Sequence, residues 1–139
     1  MNSDSKIKIF LVDDDAVFLK LLEIEFHKHD DFDIKTYASG ELCIEHLVHN
    51  PDVIVLDYNL DGIDKDAMNG MTTLDKIKAF NPNIHVIILS SQDKMGVALD
   101  CMHHRALDYV MKSETVFLRL PQIITTVFNN KKLEKELGE

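Results

Sequence analysis

The chain has 139 residues, is 45% hydrophobic and carries a formal net charge of −9. That length and apolar content suit one ordinary folded domain and exclude a disordered chain. The acidic balance argues against direct nucleic-acid binding, which needs cations set against phosphates.

The polar start from Met1 to Lys6, and the lack of any apolar run near ~18 residues, argue against a signal peptide or a membrane span. Cys43 and Cys101 stand outside any CxxC spacing and inside apolar-periodic segments. They predict buried free thiols in a reducing, cytoplasmic setting.

Ile7 to Val12 is apolar and β-rich, the first predicted strand. It ends in Asp13-Asp14-Asp15. Adjacent carboxylates repel one another unless something cationic offsets them. Asp15 can cap the next helix, which leaves Asp13 and Asp14 without a structural reason. Apolar residues at 19, 22 and 26 predict a helix from Ala16 to His29. Phe32 to Tyr37 alternates and reads as a short strand nearer an edge. Ser39 predicts the cap of a helix through Leu42, Ile44, Leu47 and Val48, stopping before Asn50-Pro51. Val53 to Leu56 then runs without interruption into Asp57, as expected of a strand buried on both faces.

Tyr58 to Asn69 is long and polar, where such connections usually take ~2–6 residues. Asp61, Asp64 and Asp66 lack the register of a calcium loop, so a solvated acidic loop is expected. A helix resumes near Gly70 or Met71, with Leu74, Ile77 and Phe80 on one side, and Asn81-Pro82 stops it. His85 to Ser90 is a fourth strand. Asp93 is expected to cap a helix through Val97, Leu99 and Met102, with His103-His104 as its surface end. Leu107 to Met111 is a fifth strand, followed at once by Lys112. Ser113 to Leu120 reads as irregular or a single turn. Pro121 suits the first position of a last helix, which carries Ile124, Val127 and Phe128 and ends in the charged tail Lys131 to Glu139. Leu133 and Leu137 could start a linker helix or a dimer seam there.

Five strands alternating with helices predict an α/β fold, a parallel sheet with helices on both faces, in one domain over 1–139. A parallel sheet gathers its strand C-termini on one edge, where such folds bind ligands. That edge would hold Asp13, Asp14, Asp57, Ser90 and Lys112. Clustered carboxylates raise one another's pKa unless a divalent cation binds, and an all-oxygen, partly hydrated site suits Mg²⁺. A metal, a lysine and a hydroxyl around one carboxylate make a site for phosphorylating that carboxylate.

Four pieces carry a resemblance: Leu11-Val-Asp13-Asp14-Asp15, Val55-Leu-Asp57-Tyr-Asn59, Val86-Ile-Ile-Leu-Ser90-Ser91 and Ala106-Leu-Asp-Tyr109-Val-Met-Lys112. With these in order, the chain from about Lys6 to Phe128 resembles the receiver domain of two-component response regulators, in the manner of a chemotaxis regulator. The resemblance implies a flavodoxin-like sheet of order 2-1-3-4-5, a core over about 6–128 and a charged helical tail over 129–139. It implies that Asp57 accepts a phosphoryl group from a phosphohistidine of a sensor histidine kinase or histidine phosphotransfer protein. Asp14 and Asp57 would ligate Mg²⁺ directly, Asp13 mainly through water, and the backbone carbonyl of Asn59 would complete the protein ligands. Ser90 and Lys112 would contact the phosphoryl group, and Ser90 with Tyr109 would form the switch. The side chains of Asn59 and Gln92 would tune dephosphorylation. The output would be a packing change on the face of the fourth helix, fifth strand and fifth helix, read by a downstream protein or by self-association.

Several positions depart from the family pattern. Ser113 stands where a proline with a cis bond is usual; a cis bond before a non-proline costs ~2.5–4 kcal/mol, so a trans peptide is expected. The loop after Asp57 lacks Met-Pro and is longer than usual by about five residues. Arg105 replaces a glycine, so no left-handed residue is expected in that turn. Each site residue also has a plainer alternative. Asp13 and Asp14 could be cap and surface charge, Lys112 a surface lysine, and Tyr109 a half-buried ring on the sheet edge. Phe18, Leu22 and Phe26 are most simply core.

At the level of function, a phosphorylation-dependent switch, standing alone or as a piece of a longer regulator, leads. The alternative is a small Mg²⁺-dependent phosphatase with an aspartyl nucleophile. Such enzymes need a second carboxylate where this chain has Asn59. A docking-only receiver would have lost an acid, and a flavin or dinucleotide binder would need a glycine-rich loop after strand one.

Overall fold

The computed structural model describes residues 6–91 and 94–138, with side chains as far as 129. Gln92, the expected cap Asp93, and the side chains of Leu133 and Leu137 lie outside the described residues. The elements are β1 (Ile7–Val12), α1 (Ala16–Phe26), β2 (Phe32–Tyr37), α2 (Gly40–Glu45), a 3-10 turn (Leu47–His49), β3 (Val53–Asp57), α3 (Gly70–Phe80), β4 (His85–Ser90), α4 (Met95–His103), β5 (Asp108–Met111) and α5 (Val116–Gly138). The sheet is parallel throughout, in the order β2-β1-β3-β4-β5.

Strand alternation sorts the core into two layers. Ile9, Leu11, Val53, Val55, Ile87, Leu89 and Val110 face α1 and α5, where Leu22, Phe26, Val116, Leu120 and Ile124 meet them. Phe10, Val12, Ile54, Leu56, Val86 and Ile88 face the other way, onto Cys43 and Leu47, Leu74 and Ile77 of α3, and Cys101 of α4. The central strand β3 is buried over its whole length. Both cysteines are free and buried, and burial pushes the Cys43 thiol up to about 12. Lys78 is buried at the end of α3, where Nζ donates to the carbonyls of Pro82 and Ile84 at 3.2 and 2.6 Å; burial lowers its pKa.

Four local expectations need correction. First, α1 stops at Phe26 rather than His29, because Lys28 and His29 bond three residues back and tighten the end. Second, α2 buries Gly40 and Cys43, and the 3-10 turn buries Leu47, while Leu42 and Val48 lie on the solvent side. On α3 Phe80 is likewise half exposed. Third, Pro121 lies inside α5, which begins at Val116. An internal proline costs ~3 kcal/mol, but Val116, Leu120 and Ile124 form an i, i+4, i+8 stripe that is at most 1% exposed. Burying three such side chains is worth ~1.5–3 kcal/mol each, which outweighs one lost hydrogen bond.

The fourth concerns Arg105, which is left-handed with φ 72°. The amide of Ala106 bonds the carbonyl of Cys101, and that of Arg105 the carbonyl of Met102, both at 3.0 Å. This pair of bonds is the Schellman ending of α4, and it demands positive φ whatever residue stands there. The Lys112–Ser113 peptide is trans, as expected; no cis bond occurs among the described residues.

Candidate functional site

The strand register brings the site residues level. Val12 pairs with Leu56, so Asp13 and Asp57 follow side by side; Asp57 pairs with Leu89, and Ser90 with Met111, so Ser90 and Lys112 complete the same edge. The Lys112 amide closes the row on the Ser90 carbonyl at 2.8 Å. Side-chain parity divides these residues. Leu11, Val55 and Val110 face α1 and α5, and so do Asp13, Asp57 and Lys112, each two residues further on. Ile88 and Tyr109 face the other layer, and Ser90 follows Ile88 by two. Asp13, Asp57 and Ser90 are buried, while Asp14, Asn59 and Tyr109 are half-buried.

Asp13, Asp14 and Asp57 each offer an oxygen within 4.8 Å of the others. Lys112 Nζ stands 2.9 Å from Asp13 Oδ2 and 3.5 Å from Asp57 Oδ1. It also lies 4.4 Å above the Phe18 ring, a cation–π contact that gives this expected core residue a second role. Asp15 caps α1, accepting from the amides of Val17 and Phe18, which accounts for the third acid of the run. Burial and the charge of Asp13 raise the Asp57 carboxyl to about 7, against the pull of Lys112 and of the Asn59 amide, with Asp14 adding to the rise. Burial lowers Lys112, but the bonds and charges of Asp13 and Asp57 outweigh it and the net shift is upward.

A divalent cation fits these residues. Among the described residues, one ammonium faces three carboxylates. The buried Oδ2 of Asp13 meets the Lys112 ammonium at 2.9 Å, a single cation that it shares with Asp57. An all-oxygen donor set with a half-exposed member suits a small hard ion that keeps some water.

The loop from Tyr58 to Asn69 is built into the rim. Leu60 is buried, the Ile63 amide donates to Asp14 Oδ2 at 3.3 Å, and the Met68 amide donates to Glu41 Oε2 at 2.9 Å. The Asn59 carbonyl accepts from Gly62 at 3.2 Å and keeps its second lone pair. Asn69 caps α3. A Cβ on Gly70 would sit 2.6 Å from the carbonyl oxygens of Asp57 and Tyr58, so only glycine lets α3 start this close to the strand end. Asp64 and Asp66 are exposed and Asp61 half-buried, as expected of a solvated acidic loop. Neither the tethers nor the Phe18 contact was legible beforehand, since each joins residues far apart in the chain.

Residues 9–125 match the response regulator receiver domain family. The chain belongs to that family. This receiver domain is 32% identical, over 81% of its length, to a protein-glutamate methylesterase/protein-glutamine glutaminase of Clostridium acetobutylicum, and covers 32% of that protein. It is 28% identical, over 76% of its length, to the transcriptional regulatory protein MalR of Bacillus subtilis and covers 44% of it. It thus spans less than half of these curated relatives. Among solved structures, a response regulator receiver domain protein from Clostridium thermocellum aligns with TM-score 0.77 and 26% identity, over 91% of this chain and 98% of that one. A CheY-like receiver domain protein from Methanospirillum hungatei aligns with TM-score 0.78 over 94% and 99% of the two chains; at 19% identity it speaks for the fold alone.

Proposed function

We propose that this receiver domain works as a phosphorylation-dependent signalling switch in which Asp57 takes a phosphoryl group from a phosphohistidine. The observation that carries this is the buried Asp57 carboxylate, with Lys112 at 3.5 Å and two further acids within metal-sharing distance. In the transfer an Asp57 oxygen bonds to phosphorus as the phosphorus–nitrogen bond breaks, and the departing imidazole keeps the electron pair and takes up a proton. Asp13, Asp14, Asp57 and the Asn59 carbonyl would hold Mg²⁺, with Asp14 and Asp57 as the direct carboxylate ligands and Asp13 acting through water. When bound, the ion offsets the charge on the transferring phosphoryl oxygens. Lys112 pairs with the new anion, and Ser90 donates to it from the neighbouring strand. Asn59 flanks the product, and Asn59 together with Gln92 sets how fast water removes it.

Phosphorylation adds ≈ −1.5 to −2 charge at this edge. Ser90 and Tyr109 share the layer toward α4, so a shift of Ser90 is felt by that ring. Met95, Leu99 and Met102 on α4 and Met111 on β5 are exposed, an apolar surface suited to a downstream protein or a second copy. On α1, Val17, Leu21 and Ile24 make an exposed stripe beside the site, suited to a sensor kinase or phosphotransfer protein. Among the described residues no helix is long and apolar enough to cross a membrane.

Incubation with acetyl phosphate and Mg²⁺, read by intact mass, tests the proposal. One phosphoryl adduct, lost in Asp57→Asn, is expected. No adduct, or an undiminished one in the variant, overturns it. The phosphatase alternative has no support in the site, where Asn59 stands in place of the second acid.

A further inference from the structure

Away from the acidic edge, on the side of the sheet that faces α2, one region of β1 and β2 is uncovered. α2 has only six residues, the 3-10 turn follows, and the chain turns away at Asn50 in a left-handed conformation, φ 56°. The uncovered strands line a cleft of about 540 Å³. Lys8 pairs with Asp33, and Phe10 with Lys35, so these alternate residues lie on one face of adjoining strands.

The lining combines two features. One is a set of rings. Phe10 is 3% exposed, Tyr37 meets it edge-on at 4.9 Å, and His46 stacks on Tyr37 at 4.7 Å and 25°. His49 continues the stack at 5.8 Å and 25°. The 3-10 geometry explains that last contact, because side chains three apart eclipse in it. The other feature is cationic: Lys8 and Lys35 are both exposed and both line the cleft. Two acceptors complete the lining. One is the Asp33 carboxylate. The other is His46, whose Nδ1 donates to the Leu42 carbonyl at 2.8 Å and leaves Nε2 as the ring nitrogen not engaged there.

We propose that this cleft binds a small nucleotide-type ligand, a planar base carrying a phosphate. The base lies against the ring stack, the phosphate meets Lys8 and Lys35, and Asp33 and His46 accept from amino or hydroxyl groups. A bare inorganic anion would make no use of the rings, and an apolar ligand would leave two lysines facing it. The volume falls within the ~300–1,000 Å³ of small-molecule sites. The proposal is independent of chemistry at Asp57.

The test is an NMR titration of the isotope-labelled chain with adenosine monophosphate, adenosine and inorganic phosphate separately. EDTA is present throughout, so that no metal can recruit phosphate to the acidic edge. Adenosine monophosphate is expected to shift the amides of Lys8, Lys35, Tyr37, His46 and His49, and each half-ligand to bind about tenfold more weakly or worse. The Lys8→Ala/Lys35→Ala variant is expected to lose at least about tenfold for the nucleotide while keeping its weak response to adenosine. His49→Ala gives a second readout, weakening adenosine and leaving inorganic phosphate unchanged. No shift at millimolar nucleotide, shifts elsewhere on the chain, an undiminished response in the lysine variant, or phosphate binding as well as the nucleotide would each overturn the proposal.

Discussion

Asp57 holds its proton to about pH 7 in the folded chain, because burial and Asp13 disfavour its charge. In the unfolded chain it ionises near ~3.9. Between those values the folded state binds a proton that the unfolded state has lost, so metal-free stability falls as pH rises from about 4 to about 7. Asp57→Asn should abolish that slope and, above about pH 7 without metal, exceed the parent by up to about 4 kcal/mol. Urea unfolding in EDTA at about pH 5 and about pH 8 checks both statements. Because the metal needs the ionised carboxylate, Mg²⁺ affinity should rise with pH through about 7. Lys112→Ala removes the ammonium beside Asp13 and Asp57. The variant should bind Mg²⁺ more tightly, since the cluster gains net negative charge. It should form the acetyl phosphate adduct about tenfold more slowly or worse, since one partner of the product anion is gone. A Mg²⁺ titration with time-resolved mass analysis separates the two effects.

At the scale of elements, Gly70 and Arg105 give opposite expectations. Gly70→Ala forces a Cβ against the Asp57 and Tyr58 carbonyls, which belong to backbone that cannot step aside. A loss of more than ~3 kcal/mol in urea unfolding, or of adduct formation in a chain that still folds, is expected. Arg105→Gly relieves a side chain held at positive φ and should add about 1 kcal/mol in the same measurement. The strands were legible to within a residue at their ends, because a buried strand is a continuous apolar run whatever surrounds it. From those ends the convergence of Asp13, Asp14, Asp57, Ser90 and Lys112 followed by topology alone. The helices were less legible. Leu42, Val48 and Phe80 fit an apolar stripe yet face solvent, since an apolar residue does not say which side the sheet lies on. Pro121 read as a helix start because the stripe through Val116, Leu120 and Ile124 has meaning only once a sheet covers it. Arg105 carried no mark of positive φ, which the six-to-one bond of the turn imposes. His46, His49, Lys8 and Lys35 drew no notice, being separated in sequence and joined by strand pairing.

Considered as a whole, the molecule keeps its acidic edge beside α1 and its exposed methionine-rich surface on α4 and β5. Leu21→Glu on α1 should slow phosphoryl transfer from a histidine-bearing protein about tenfold, without changing the rate from acetyl phosphate, which needs no docking. Leu99→Asp on α4 should leave both rates alone and abolish any phosphorylation-dependent self-association, read by sedimentation. Side-chain parity in the strands has a further consequence. Asp13, Asp57 and Lys112 lie on one side of the sheet and Ser90 with Tyr109 on the other. Under the proposed function Ser90, at the shared strand edge, is then the relay through which a change of charge on Asp57 would reach the layer beneath α4.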